Sequence, residues 1–165
     1  MPSTTLNNSS VRRAYIITGP TSGIGRATAL ELTKHGTLVL VARDAKKLDD
    51  VRKSIEQKGG QAVSVVCDLS DVINARRAAA EIVALGLPIA DLLNNAGVMP
   101  MNPPRTAPGW DLAFATNHLG PFAFTEALIP HLPDGAHVVF ICSASLVESL
   151  PRRWPCFQQF QQNQH

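Results

Sequence analysis

The chain has 165 residues, 45% of them hydrophobic and 17% charged, with a formal net charge of +2. That is enough for one domain with its own core and too little for two, and the composition excludes a disordered or fibrous polymer. The pairs Arg12–Arg13, Arg76–Arg77 and Arg152–Arg153 are isolated and carry no interleaved aromatics, which argues against a nucleic-acid surface.

No apolar run reaches the length of a membrane span, and MPSTTLNNSS at the start has no apolar stretch of the kind a signal peptide needs. Three cysteines (Cys67, Cys142 and Cys156) without metal-ligand spacing argue against a disulfide framework and against a metal centre. Cys67 and Cys142 lie in apolar runs and read as small buried hydrophobes. The expected setting is cytoplasmic.

In chain order, residues 1–12 form a polar arm, and AYIIT (14–18) reads as a strand closed by Gly19. GIGRATALELTKHG reads as a helix with Ile24, Ala27 and Leu30 on one side, ending at Gly36 as the residue past its C-cap. TLVLVA (37–42) is a second, wholly apolar strand. Asp44 then caps a helix with Leu48, Val51 and Ile55 inward and the pairs Asp49–Lys53 and Arg52–Glu56 outward.

QAVSVVC is a third strand, with Ser70 as the expected cap of an alanine-rich helix running through Leu85. IADLLNN is the fourth strand. A proline-rich loop from Pro100 to Pro108 leads into a helical stretch from Gly109 to Leu132, on which Trp110 reads as a packing residue at the helix start. AHVVFICS is the fifth strand. Apolar strands alternating with helices specify an α/β fold, a doubly wound Rossmann-type parallel sheet of five strands. That domain covers 13–147, and a glutamine-rich tail with Pro151 and Pro155 covers 148–165.

Between the first strand and first helix stands TGPTSGIG. Gly19, Gly23 and Gly25 permit close approach of backbone to a pyrophosphate, and Thr21, Ser22 and Ile24 place N–H groups at the opening of the helix. Its place in a strand–turn–helix unit makes the turn a dinucleotide fingerprint rather than an ordinary bend.

With CDL (67–69), NNAG (94–97), Asn117 of TNHLG and Ser143 of ICSAS, this spacing resembles the short-chain dehydrogenase/reductase family, and NNAGVM…GW…FATNHLGPF its retinol-dehydrogenase-like branch. The resemblance implies that Asp68 accepts a hydrogen bond from the adenine amino group with Leu69 beside it. It implies that Asn95, Ala96 and Gly97 line the ribose and steady the sheet. Asn117 would interrupt its helix and help hold a proton-relay water, and Ser143 would hydrogen-bond the substrate oxygen. The partners implied are a nicotinamide dinucleotide and an unidentified small carbonyl or alcohol.

Cofactor choice follows from charge. An NAD site wants a carboxylate at the end of strand two, where this chain has Ala42 followed by Arg43, a residue suited to grip a 2′-phosphate. NADP(H) is expected. The family's YxxxK motif is missing: the one tyrosine is Tyr15, the last lysine is Lys58, and Cys156 and Phe160 stand at the expected spacing. Three readings remain open: an oxidoreductase truncated before that motif and inactive as it stands, a nucleotide-binding pseudoenzyme or regulatory partner, or an enzyme completed by another chain. Strand five and the long helix, with Phe122, Ala123, Leu128 and Ile129, are expected to lose cover and promote self-association.

Overall fold

The computed structural model describes residues 13–102 and 104–142. The expected arm and tail, and the roles expected of Ser143, Cys156 and Phe160, fall outside the described residues. Five parallel strands, β1 (Ala14–Thr18), β2 (Thr37–Ala42), β3 (Gln61–Val66), β4 (Ile89–Asn94) and β5 (Val138–Phe140), form one sheet in the order β3-β2-β1-β4-β5. Helices α1 (Gly23–Leu32), α2 (Ala45–Gln57) and α3 (Val72–Ala84) connect the first four strands. From β4 the chain passes through the proline-rich loop into a helical run of four segments: α4 (Leu112–Phe114), a π-turn (Ala115–Leu119), α5 (Gly120–Leu128) and a 3₁₀ turn (Ile129–His131).

The apolar strands are continuous because both faces of the sheet are covered. In β2, Val39 and Val41 join a core shared with α3 and α5, including Ile16, Leu92, Ala78, Phe124 and Leu128. Leu38 and Leu40, pointing the other way, join Ile17, Ala29, Leu48, Val51 and Ile55 beneath α1 and α2. Each wholly buried Leu, Ile or Phe contributes roughly 1.5–3 kcal/mol relative to exposure, so Phe124→Ala, at a residue with no exposed surface, strikes the α5 side directly.

The α2 amphipathic pattern holds as expected, with Leu48, Val51 and Ile55 buried, an Asp44 cap, and the ion pairs Lys53–Asp49 and Arg52–Glu56 on the outside. Five expectations change. Helix α1 ends at Leu32 with Thr33 as its C-cap, and Gly36 lacks the positive φ of a helix-terminating glycine. It is needed instead because a Cβ there would collide with the Arg13 carbonyl, where the chain enters β2 alongside the start of β1.

The inward side of α1 is Gly25 and Ala29, whereas Ala27 and Ile24 are exposed and Leu30 is half-buried. The cap of α3 is Asp71, whose carboxylate accepts from the N–H groups of Ile73 and Asn74, because Ser70 is occupied with Asp68. Cys142 is exposed, since β5 is an edge strand of only three residues; Cys67 is buried as expected. Finally, the helical run begins at Leu112, not Gly109. Asp111 caps it, and Trp110 stays half-exposed while tilting against Phe114 at 6.1 Å between centroids.

Candidate nucleotide-binding site

The C-terminal ends of the strands open on a cleft of about 670 Å³. It lies where the order reverses between β1 and β4, the place such sheets keep their ligands. Gly19, Thr21, Ser22, Gly23 and Ile24 form its floor, and Ala42, Arg43, Asp44 and Lys47 one wall. Asp68 and Leu69 form a second wall, and Asn95, Ala96 and Gly97 a third. Eleven of the twelve nucleotide-contacting residues expected from sequence therefore converge.

Gly25 is the twelfth, and it works from behind. It is buried in α1, where a Cβ would collide with the Asn95 amide and the Gly19 carbonyl. Gly19 itself has φ 67°, and a Cβ there would stand 2.8 Å from the Ala96 Cα. The first turn and the turn after β4 can thus approach only through glycine.

That approach is fastened by hydrogen bonds. Thr18 Oγ1, wholly buried, accepts from the N–H groups of Asn95 and Ala96, each at 3.0 Å. The Asn95 amide donates to the carbonyls of Thr18 and Gly19, each at 3.1 Å. Asn95 thus ties the turn after β4 to β1, with its side chain turned toward β1.

Charge and donors suit an anion. At the start of α1 the Ser22 side chain makes no capping bond and the first turn holds no acid, so the opening N–H groups remain available. Helices α2, α3 and α4, by contrast, are each capped by an aspartate. Arg43 is exposed and has no ion-pair partner among the described residues. Lys47 makes only a long exposed contact of 3.8 Å to Asp44. Hydrogen bonding from the Lys47 N–H, more than any nearby charge, holds the Asp44 carboxyl below its ordinary value. Cys67 also lines the cleft, but burial pushes its thiol up to about 11, which leaves it protonated and unreactive near neutral pH.

The helix carrying Asn117 departs from α geometry there. Residues 115–119 form a π-turn in which the Gly120 N–H reaches the Ala115 carbonyl. The Asn117 side chain grips the backbone of Val98 at two points: Oδ1 accepts from its N–H and Nδ2 donates to its carbonyl, both at 2.8 Å. Val98 and Thr116 line the cleft while Asn117 does not, so its side chain positions the wall. Ile141, whose N–H donates to the Asn94 carbonyl at 2.9 Å, also lines the cleft.

Sequence reasoning missed Lys47, Val98, Thr116 and Ile141. For Lys47 a signal existed, because capping by Asp44 fixes Lys47 in the first helical turn, on the same end as Arg43.

The family model for short chain dehydrogenase matches residues 13–154. The chain belongs to the short-chain dehydrogenase family. It is 35% identical over 143 residues to retinol dehydrogenase 11 of Homo sapiens, covering 85% of this chain and 45% of that protein. It is 39% identical over 124 residues to a short-chain dehydrogenase/reductase of Armillaria gallica, covering 73% of this chain and 40% of that one. This short-chain dehydrogenase thus spans less than half the length of these curated relatives. Among solved structures, a metagenomic short-chain oxidoreductase in complex with NADP superposes with a TM-score of 0.72 at 32% identity, over 81% of this chain and 63% of that one. A family member from Burkholderia phymatum in complex with NAD gives 0.71 at 28% identity, over 85% and 52%. Among the described residues of this family member, no helix is long and apolar enough to cross a membrane.

Proposed function

We propose that this chain is the nucleotide-binding part of an NADP(H)-dependent oxidoreductase that moves hydride between the cofactor and a small carbonyl or alcohol. One observation carries the choice of NADP(H): the wall beyond β2 presents two cations, Arg43 and, in the first turn of α2, Lys47, beside Ala42 where an NAD site would want a carboxylate. Relatives hold NADP or NAD, so the phosphate preference rests on these residues.

In this reading Gly19, Thr21, Ser22, Gly23, Ile24 and Gly25 shape the pyrophosphate seat at the start of α1, and Arg43 and Lys47 take the 2′-phosphate. Asp68 and Leu69 flank the adenine, and Asn95, Ala96 and Gly97 flank the ribose. The chemistry that such a cofactor supplies is hydride transfer at a carbonyl carbon. Ser143 would orient the substrate oxygen and Asn117 would hold the wall beside it. Turnover by these residues alone is expected to stay at background, because the single tyrosine, Tyr15, packs against the core under α1 and α2. The reading carries a cytoplasmic setting. It also includes self-association through β5 and the α5 side, supported by exposed Val139, Phe140, Phe122 and Ile129. Of the four helix residues expected to lose cover, Ala123 and Leu128 are buried.

Titration by cofactor fluorescence tests the proposal. The parent chain is expected to bind NADPH more tightly than NADH. Arg43→Asp should reverse that order, and Lys47→Ala should weaken NADPH by up to about tenfold, the scale of one charged hydrogen bond at an exposed site. Equal affinity of the parent for both cofactors would overturn the assignment. NADPH oxidation over a panel of aldehydes and ketones checks the chemistry, and turnover lost in Ser143→Ala would point to a proton donor other than tyrosine.

A further inference from the structure

Two residues outside the cleft hydrogen-bond Asp68, the carboxylate-bearing residue on its second wall. Between the end of β3 at Val66 and the start of α3 at Val72, Asp68 is held at both its main chain and its side chain. Its N–H donates to Asn74 Oδ1 at 3.1 Å. Its Oδ1 accepts twice from Ser70, from the N–H at 2.9 Å and the hydroxyl at 2.8 Å. Asn74 is fixed in turn. Its N–H donates to Asp71 Oδ1, Arg77 donates to its Oδ1 at 3.3 Å, and the Cys67 thiol approaches its carbonyl at 3.8 Å.

A free carboxylate offers two equivalent oxygens that exchange by rotation. Here Ser70 engages one of them, and Asp68 Oδ2 has no hydrogen-bond partner among the described residues. Neither Ser70 nor Asn74 lines the cleft, whereas Asp68 does. An ionised carboxylate only accepts hydrogen bonds. It favours a purine carrying an amino group at position 6 and disfavours one carrying an oxo group there, although the two bases have the same outline.

We infer that Ser70 and Asn74 are positioning residues that hold Asp68 Oδ2 ready for the base, and so set how strongly this cleft prefers a 6-amino purine dinucleotide over its 6-oxo counterpart. The inference rests on the nucleotide reading given above. Arg77 belongs to the same chain of contacts, since it also donates to the Val66 carbonyl at the end of β3.

The test compares binding of NADPH with that of its hypoxanthine analogue, which differs only at that position. The parent is expected to prefer NADPH. Asn74→Ala, which frees the Asp68 main chain, and Ser70→Ala, which removes one of two donors to Oδ1, should each narrow the preference by about three- to tenfold, the scale of one net hydrogen bond. The narrowing should come from weaker NADPH binding, with the analogue little changed. Asn74→Asp keeps the acceptor and should restore the ratio, and Asp68→Ala should abolish it.

A merely structural role would weaken both ligands alike and leave the ratio where it was. An unchanged ratio in both alanine variants overturns the inference. Equal binding of the two ligands by the parent overturns it too, while leaving the cofactor reading intact. Failure of the parent to bind either ligand refutes the cofactor reading itself and the inference with it.

Discussion

Replacing Thr18 by valine keeps the shape of a wholly buried side chain and removes one oxygen. That oxygen is the acceptor for two main-chain N–H groups, those of Asn95 and Ala96, each at 3.0 Å. Both bonds are partly buried, so neither donor is fully rescued by water. Leaving a buried donor unpaired costs about 1–3 kcal/mol, and the partial burial puts each near the lower end, for a total of about 2–4 kcal/mol. A domain's net stability is about 5–15 kcal/mol, so the loss is a large share of it.

Thr18→Ser makes the opposite change. It keeps the acceptor and loses one methyl, which costs about 1 kcal/mol. Urea unfolding followed by circular dichroism should therefore rank the parent first, serine second and valine last. Hydrophobicity alone gives the reverse order for the two variants. A valine variant as stable as the serine variant would refute the claim that Thr18 fastens β4 to β1, and with it this account of how the glycine turn is held.

Three further outcomes are expected. The Asp44 carboxyl is held below its ordinary 3.8, first by the Lys47 N–H. A lowered folded value means stability that is fully present above 3.8 and lost as pH falls through the folded value. The stability gap between parent and Asp44→Ala in urea melts should thus be constant near neutral pH and shrink in acid. Iodoacetamide at mildly alkaline pH should modify exposed Cys142 well before Cys67, whose thiol burial pushes up to about 11; comparable rates would contradict the burial of Cys67. Amides of β5, where Val139 and Phe140 are exposed, should exchange with solvent faster than those of β1, and sedimentation should show association that grows with concentration. Protection of β5 equal to that of β1 in a monomer would count against association through this edge.

The parts of the fold legible in the sequence were those written in local periodicity. Wholly apolar strands, the α2 stripe of Leu48, Val51 and Ile55, and the Asp44 cap need only neighbours in sequence to be read. The nucleotide turn was legible because glycines at fixed offsets have few other uses. What escaped was decided by competition or by distance. Ser70 looked like a cap until Asp68 claimed it, and Gly36 looked like a helix end although its constraint comes from Arg13, just before the adjacent strand. Cys142 looked buried because periodicity reports the apolar character of a strand, not whether anything covers it. The double grip of Asn117 on Val98 joins residues on separate elements, and no spacing rule announces it.

The π-turn at 115–119 has a consequence for how this chain can change length. Such a turn holds one residue more than the α-helical turn it replaces. Deleting a single residue there, His118 for instance, would not break the helix but let it relax to ordinary geometry, with a gain in local regularity. The turns on either side would keep their register, because the bulge had already absorbed the extra residue. Phe124 and Leu128 would stay in the core, and the change would fall on residues 115–119 themselves, carrying Asn117 away from the Val98 backbone it now grips. A shorter chain would keep its helix and lose its cleft wall, so the surplus residue is one that folding alone would discard.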